Sequence, residues 1–233
     1  MIFAVNTTTD QFGLAIMDEK GLVRAEFLIS SSEKNYTAFV PAVHSLLESS
    51  KMDVQDIQAI IVATGPGSFT GLRVGLSMTK GMAHGLGIPM IGVSSLEAMV
   101  HQVTYTALPI CPLLTSRRGE VFFALFKMDP DREIHRLQED RSIKLEDMAS
   151  VIHEPTLFIG NDFSKQGEPV RGILQDVAVL APAQLWNLKA SSVGAAGLKR
   201  FLAQDFDDLW DLVPFYLHPP DIRPNPFVSL SES

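Results

Sequence analysis

The stretch Gly65-Pro66-Gly67-Ser68-Phe69-Thr70-Gly71-Leu72-Arg73-Val74-Gly75-Leu76, continuing through Lys80 and Gly81 to Gly85, constrains the fold more than any other part of the chain. The apolar run Ile60-Ile61-Val62-Ala63 enters it as a strand, and a Pro/Gly turn follows. Apolar side chains then recur at Phe69, Leu72, Leu76, Ala83 and Leu86, at helical steps of three and four. Ser68 or Thr70 caps the start, and Gly87 followed by Pro89 ends the helix. Four glycines in one helix, Gly71, Gly75, Gly81 and Gly85, each cost up to ~1 kcal/mol relative to alanine. That cost implies close approach of another backbone, either the chain's own sheet or a partner helix; on the second reading Gly75→Leu breaks pairing and spares the monomer. The loop also leaves N–H groups at a helix N-terminus, where an anion can sit. It matches neither a P-loop nor a dinucleotide fingerprint, since no Gly-Lys-Ser/Thr follows and the glycine spacing differs.

Around this element the order of patterns is regular. Ile2–Val5, Phe12–Met17 and Leu22–Ile29 read as three strands with short turns, an antiparallel meander. Tyr36–Ser50 has helical spacing, and Pro41 either falls near its first turn or kinks it. Ala59–Ala63, the glycine helix, Pro89–Val93 and a helix from Ser94 or Ser95 to Val103 complete a β-β-β-α-β-α-β-α series. That is the ribonuclease-H-like module, which the actin-like ATPase superfamily uses twice. Strands at Ile110–Leu114, Val121–Phe126 and Ile134–Arg141, a helix at Lys144–Ile152, strands at Thr156–Gly160 and Val177–Leu180, and one helix over Ala183–Gln204 repeat part of the theme. The expected fold is α/β, a two-lobed actin-like ATPase (ribonuclease-H-like) architecture of mixed sheets flanked by helices. Its lobes are residues 1–104 and 105–210, with a proline-rich tail over 211–233.

Charge and composition narrow the function. The 233 residues carry a formal net charge of -8, which disfavours a stand-alone nucleic-acid binder. The single cysteine, Cys111, lies in an apolar stretch and reads as core. The six histidines are scattered without metal-ligand spacing, and no Ser-His-Asp signature appears. The first residues give a strand and then threonines, not a signal pattern, and no apolar run reaches the ~18 residues of a membrane helix. A cytoplasmic protein is the expectation. Asp10 reads as a cap or as part of a phosphate site; Arg117 and Arg118 read as a solvated turn or a contact to tRNA or a partner.

The glycine motif, with Lys80-Gly81, Ile88-Pro89 and Gly92-Val93-Ser94-Ser95-Leu96 downstream, resembles the TsaB (YeaZ) family. Thr7-Thr8-Thr9, the Arg117-Arg118-Gly119-Glu120-Val121 turn and Pro214-Phe215-Tyr216-Leu217 are similar too. The resemblance implies a non-catalytic scaffold with no activity alone. It would bind TsaD, which carries the metal and the transferase site, and act in forming threonylcarbamoyladenosine at position 37 of tRNAs reading codons that start with adenine. TsaE joins the pair, TsaC supplies threonylcarbamoyl-AMP, and tRNA is met mainly through the complex. No cofactor is expected in the isolated subunit, ATP and Mg belonging to the partners; a homodimer is an alternative pairing. The family pairs through its first two helices, which here nominates Tyr36, Phe39, Val40, Val43, Leu47, Gly71, Leu72, Arg73, Gly75, Leu76 and Lys80. A vestigial phosphate loop would comprise Asn6, Thr7, Thr8, Asp10, Gly65, Gly67 and Ser68. Asn6, Asn35, Thr115 and His218 depart from the family's aspartate, histidine, aspartate and arginine, and an amide is a poor ligand for a hard cation. The competing reading is an ATP-binding phosphotransferase or hydrolase of the same superfamily, acting alone, with nucleotide near Asn6–Asp10 and Gly65–Ser68.

Overall fold

The structure is a computed structural model, which describes residues 1–30, 36–117 and 119–218. Among these, ten strands form two five-stranded sheets. In the first, β1 (Ile2–Asn6) lies between β2 (Gln11–Met17) and β4 (Ala59–Gly65), with β3 (Val23–Ser30) and β5 (Met90–Ser94) outside, in the order β3-β2-β1-β4-β5. β1 pairs antiparallel with β2, Ile2 opposite Met17, and parallel with β4, Ile2 opposite Ala59. The second sheet is built from β6 (Ile110–Thr115), β7 (Glu120–Met128), β8 (Ile134–Lys144), β9 (Thr156–Gly160) and β10 (Ala178–Leu180), in the order β10-β9-β6-β7-β8. Relabelled from its own first strand, that order is the same as the first sheet's. The two-lobed actin-like plan therefore holds as a repeat of topology, although no repeat of residues is visible.

β1 and β4 read as continuous apolar runs because both faces are covered. The two-residue period of a strand divides their side chains. Phe3, Val5, Ile60 and Val62 pack with α1 (Phe39–Ser49) and α2 (Phe69–Leu86). Ile2, Ala4, Ile61 and Ala63 face a core shared with α3 (Ser95–Val100), α5 (Ala190–Leu202) and the second sheet's Ile110, Phe126 and Ile159. A third cluster, holding Cys111, Phe123, Phe158 and Trp186, sits beneath α4 (Glu168–Leu174). Cys111 is fully buried, and burial pushes its thiol pKa up.

Local signals place most boundaries. Ser68 Oγ accepts from Gly71 N at 3.3 Å and Gly87 ends α2 in the left-handed region at φ 66°. Pro41 falls in the first turn of α1, where its missing N–H is harmless, so the helix is not kinked by it. Ser94, not Ser95, caps α3, which stops at Val100 rather than Val103.

Two expectations need correction. Residues 144–152 form a 3-10 turn over Leu145–Ser150 instead of an α-helix. The helix expected over Ala183–Gln204 is a 3-10 turn at Ala183–Leu185 and then α5, with a break between. The break arises because Trp186 anchors in the second lobe, its indole N–H donating to Ala181 O at 2.9 Å, while Leu188 enters the core between the sheets. α4 and the preceding π-turn at Phe163–Gly167 had no sequence expectation.

α5 lies in the segment assigned by sequence to the second lobe, yet it packs across the first sheet. Its glycines allow the approach: a Cβ on Gly197 would meet Ile61 Cγ2 at 2.6 Å, and one on Gly194 would meet Ala4 Cβ at 3.1 Å. From α5 the chain runs as a strap over the edge of the first sheet. Asp207 N donates to Met90 O at 3.0 Å, and Phe215 N donates to Thr64 O at 2.7 Å. No helix among the described residues is long and apolar enough to cross a membrane.

Candidate functional site

A cleft of about 640 Å³ opens between the lobes. Its floor is the β1–β2 turn (Thr8, Thr9, Asp10) and the start of α2 (Gly67 to Thr70); Thr115, Ser116, Arg117 and Asn161 form the far wall, and Phe215 to His218 of the strap close one side. Of the sequence-nominated loop, Thr8, Asp10, Gly67 and Ser68 line this cleft, while Asn6 and Thr7 are fully buried and Gly65 lines a separate pocket with Thr64 and Ser94.

The loop's polar groups, however, are turned on one another. Asn6 is fully buried; its Nδ2 donates to Leu188 O at 2.8 Å and Thr9 Oγ1 at 3.2 Å, while its Oδ1 accepts from Thr8 N and Thr8 Oγ1 at 2.9 and 2.8 Å. Both amide hydrogens and the carbonyl oxygen are therefore engaged within the chain. Thr7 Oγ1 donates to Gly71 O at 2.8 Å. Ser68 N donates to Thr8 O at 2.7 Å, so one N–H of the supposed cradle already has an internal acceptor. The Thr8 carbonyl lies where a Gly67 Cβ would be, and the Phe215 carbonyl lies where a Gly65 Cβ would be. The glycines of the loop serve close approach by these two segments. Asp10 is exposed at the rim. Thr115 donates from N and Oγ1 to Asn161 Oδ1 at 2.8 and 3.1 Å, a hydroxyl network rather than a metal site. Among the described residues no cluster of three His, Cys, Asp or Glu side chains is placed to hold a metal. The lining of the cleft offers hydroxyls, the Arg117 guanidinium, the Asp10 carboxylate, the His218 imidazole and aromatic edges, all means of binding a ligand.

The nominated docking residues divide by face. Phe39, Val43, Leu47, Leu72 and Leu76 are buried in the core of the first lobe, as is Gly71. Val40 projects at 64% exposure, Arg73 is exposed and Lys80 is half-buried. Of Tyr36 only the backbone is described, in a 3-10 turn at Tyr36–Ala38; Asn35, Arg118 and the tail beyond His218 lie outside the described residues. The partner-helix reading of Gly75 is corrected, and the reading of close approach within the chain holds. A Cβ there would collide with Thr7 of the same chain, so Gly75→Leu invades the monomer's own core instead of sparing it. At Gly81 and Gly85 a Cβ would meet nothing within 4 Å, and these two, with Ser77, leave a shallow open stripe on α2.

The strap was not nominated by sequence reasoning, yet it lines this same helix. Arg73 Nε donates to Tyr216 Oη at 3.0 Å, and its guanidinium lies 3.9 Å over the Phe69 ring. Lys80 Nζ reaches Trp210 O at 3.5 Å, and the His84 and Trp210 rings stand 5.7 Å apart, edge to face. The strap's end crosses to the second lobe, where His218 Nε2 meets Ser142 Oγ at 2.9 Å and Glu120 Oε2 at 3.2 Å. The signal available was the aromatic content of Trp210 and Phe215-Tyr216 in an otherwise polar terminal region.

Fold and cleft together define the class, a two-lobed α/β protein of the actin-like kind whose glycine loop is closed by its own carbonyls. A family model described as "TsaD: tRNA N6-adenosine threonylcarbamoyltransferase" matches residues 30–206. The chain is 31% identical over 219 residues, 93% of each protein, to "tRNA threonylcarbamoyladenosine biosynthesis protein TsaB" of Bacillus subtilis. It is 30% identical over 194 residues to the protein of the same name from Escherichia coli, 78% of this chain and 81% of that one. The solved structure "YeaZ from Pseudomonas aeruginosa" superposes with a TM-score of 0.76 at 19% identity, covering 93% of this chain and 99% of that one, which shows the shared fold. The chain belongs to the TsaB family, within the broader family that the TsaD model describes.

Proposed function

We propose that the chain is a scaffold subunit without chemistry of its own, which binds and activates TsaD in forming N6-threonylcarbamoyladenosine at position 37 of tRNAs reading codons that start with adenine. The observation that carries this is the near full-length identity to a protein named for that biosynthesis. The engaged Asn6 amide and the covered glycine loop support the absence of catalysis. Docking uses the exposed face of α1 and α2, around Val40, Arg73 and Lys80. TsaE joins the pair, TsaC supplies threonylcarbamoyl-AMP, and ATP, Mg and the transferase metal stay with the partners. The complex works in the cytoplasm; alone, the chain pairs weakly with a second copy.

Reconstitution tests the reading. Mixed with TsaD, TsaE, TsaC, threonine, bicarbonate, Mg-ATP and unmodified tRNA, the chain is expected to support modified nucleoside by mass spectrometry; omitting it or TsaD abolishes product. Modification without TsaD overturns the scaffold role. The cleft itself favours a second reading, an actin-like ATPase or phosphotransferase acting alone. Micromolar Mg-ATP binding with turnover by the isolated chain, seen by titration calorimetry and phosphate release, would establish that instead.

A further inference from the structure

α2 is a basic helix in an acidic protein. It carries Arg73, Lys80 and His84 and no aspartate or glutamate, against a net charge of -8 for the whole chain. Among the described residues no ion pair involves Arg73, although the side chain is held in place. Its Nε is used by Tyr216 Oη, its face rests on Phe69, and the Phe69 and Tyr216 rings lie 5.2 Å apart around it. A guanidinium fixed through Nε and one face keeps its two terminal nitrogens as a preset fork, the geometry that accepts a carboxylate with two parallel bonds. Pre-organisation removes the ordering cost that makes most surface ion pairs nearly worthless. Eleven residues on, about 16 Å along the helix, Trp210 is laid against His84 with 73% of its surface exposed. Phe69, Val213 and Phe215 are exposed apolar side chains on α2 and the strap.

We propose that Arg73, clamped by Phe69 and Tyr216, is the anchor for a carboxylate of the docked protein partner, and that the strap's Trp210 is the apolar anchor at the other end of α2. Phe69 and Tyr216 are positioning residues that act through Arg73. The inference rests on the scaffold reading and adds the strap to the docking face. A protein carboxylate suits the site better than an RNA phosphate. Nucleic acid calls for a broad basic footprint, whereas here one fixed cation and one half-buried lysine stand among exposed aromatics.

The test is calorimetric affinity of the full chain for the TsaD encoded in the same genome, with circular dichroism to confirm folding. Arg73→Ala and Trp210→Ala are each expected to weaken binding at least 10-fold. Arg73→Lys should weaken it nearly as much as Arg73→Ala, since an ammonium lacks the fork. The salt dependence of the wild type should flatten in Arg73→Ala. Tyr216→Phe should weaken binding about 3-fold at unchanged melting temperature, and should have no further effect in the Arg73→Ala background, which a tyrosine that meets the partner directly would still have. Wild-type binding with Arg73→Ala within twofold of it overturns the proposal and leaves the scaffold reading standing. An Arg73→Lys variant that binds like wild type overturns the fork. Loss of affinity for tRNA alone assigns Arg73 to RNA and overturns the carboxylate. No binding of TsaD by the wild type overturns the scaffold reading and this inference with it.

Discussion

Asn6 sits where a single oxygen-for-nitrogen exchange has large consequences. Its amide donates to Leu188 O and Thr9 Oγ1 from a fully buried position. Asn6→Asp, the change toward the residue usual in the family the sequence resembles, would set a carboxylate against the Leu188 carbonyl and remove both donors. The retained Oδ1 would keep its bonds from Thr8, but the second carboxylate oxygen would face the Leu188 carbonyl, buried and without a donor, which is expected to cost about 1–3 kcal/mol in urea unfolding. An equally stable Asn6→Asp protein would show that the turn rearranges to solvate the acid. Gly75 teaches the same at the level of one carbon. The four-residue glycine spacing was legible, but which glycines face inward was not, because spacing fixes a helix face and not what the fold lays against it. Thr7 covers Gly75, and nothing covers Gly81 or Gly85.

At the scale of elements, short-range chemistry was readable and long-range packing was not. The Ser68 cap, the Gly87 terminator and the short apolar runs of β1 and β2 act within a few residues, so those elements fall within a residue or two of their expected ends. The break after Trp186 and the strap depend on partners far away in sequence, Asn6 with Leu188 for the first and Arg73 with Tyr216 and Gly92 with Asp207 for the second. The strap's attachment should be acid-labile. Burial pushes Asp207 up, yet the Arg200 guanidinium and the Gly92 N–H outweigh it and hold the carboxyl below its ordinary range. A depressed folded pKa stabilises above the unfolded value of about 4, and that contribution is lost as pH falls through the folded value. Melting temperature should therefore fall more steeply below pH 4 for the wild type than for Asp207→Asn, which starts lower at neutral pH. Parallel curves would mean that Asp207 does not tie the strap.

At the scale of the molecule, the two sheets share one core, and α5 is its hinge-pin. Residues 1–104, the first lobe as read from sequence, end before the helix that covers Ala4, Met17 and Ile61. Expressed alone, that fragment should expose an apolar sheet face and give poor amide dispersion with strong dye binding; a well-dispersed, monomeric fragment would show that the lobe closes without α5. The floor of the cleft and the glycine helix were legible as locations because both lie in the first part of the chain, at the glycine motif. Their covers were not, since the strap and α5 come from the last fifth.

A ribosome adds the residues that roof the first sheet and pin the glycine helix long after the strands and the helix that they cover. Gly194 must find Ala4, and Tyr216 must find Arg73, so the amino-terminal half waits for the carboxy-terminal quarter before it can set. Synthesis order thus runs opposite to assembly order. A nascent chain of this protein is expected to stay open, with its central strands half-clothed, until α5 and the strap have emerged.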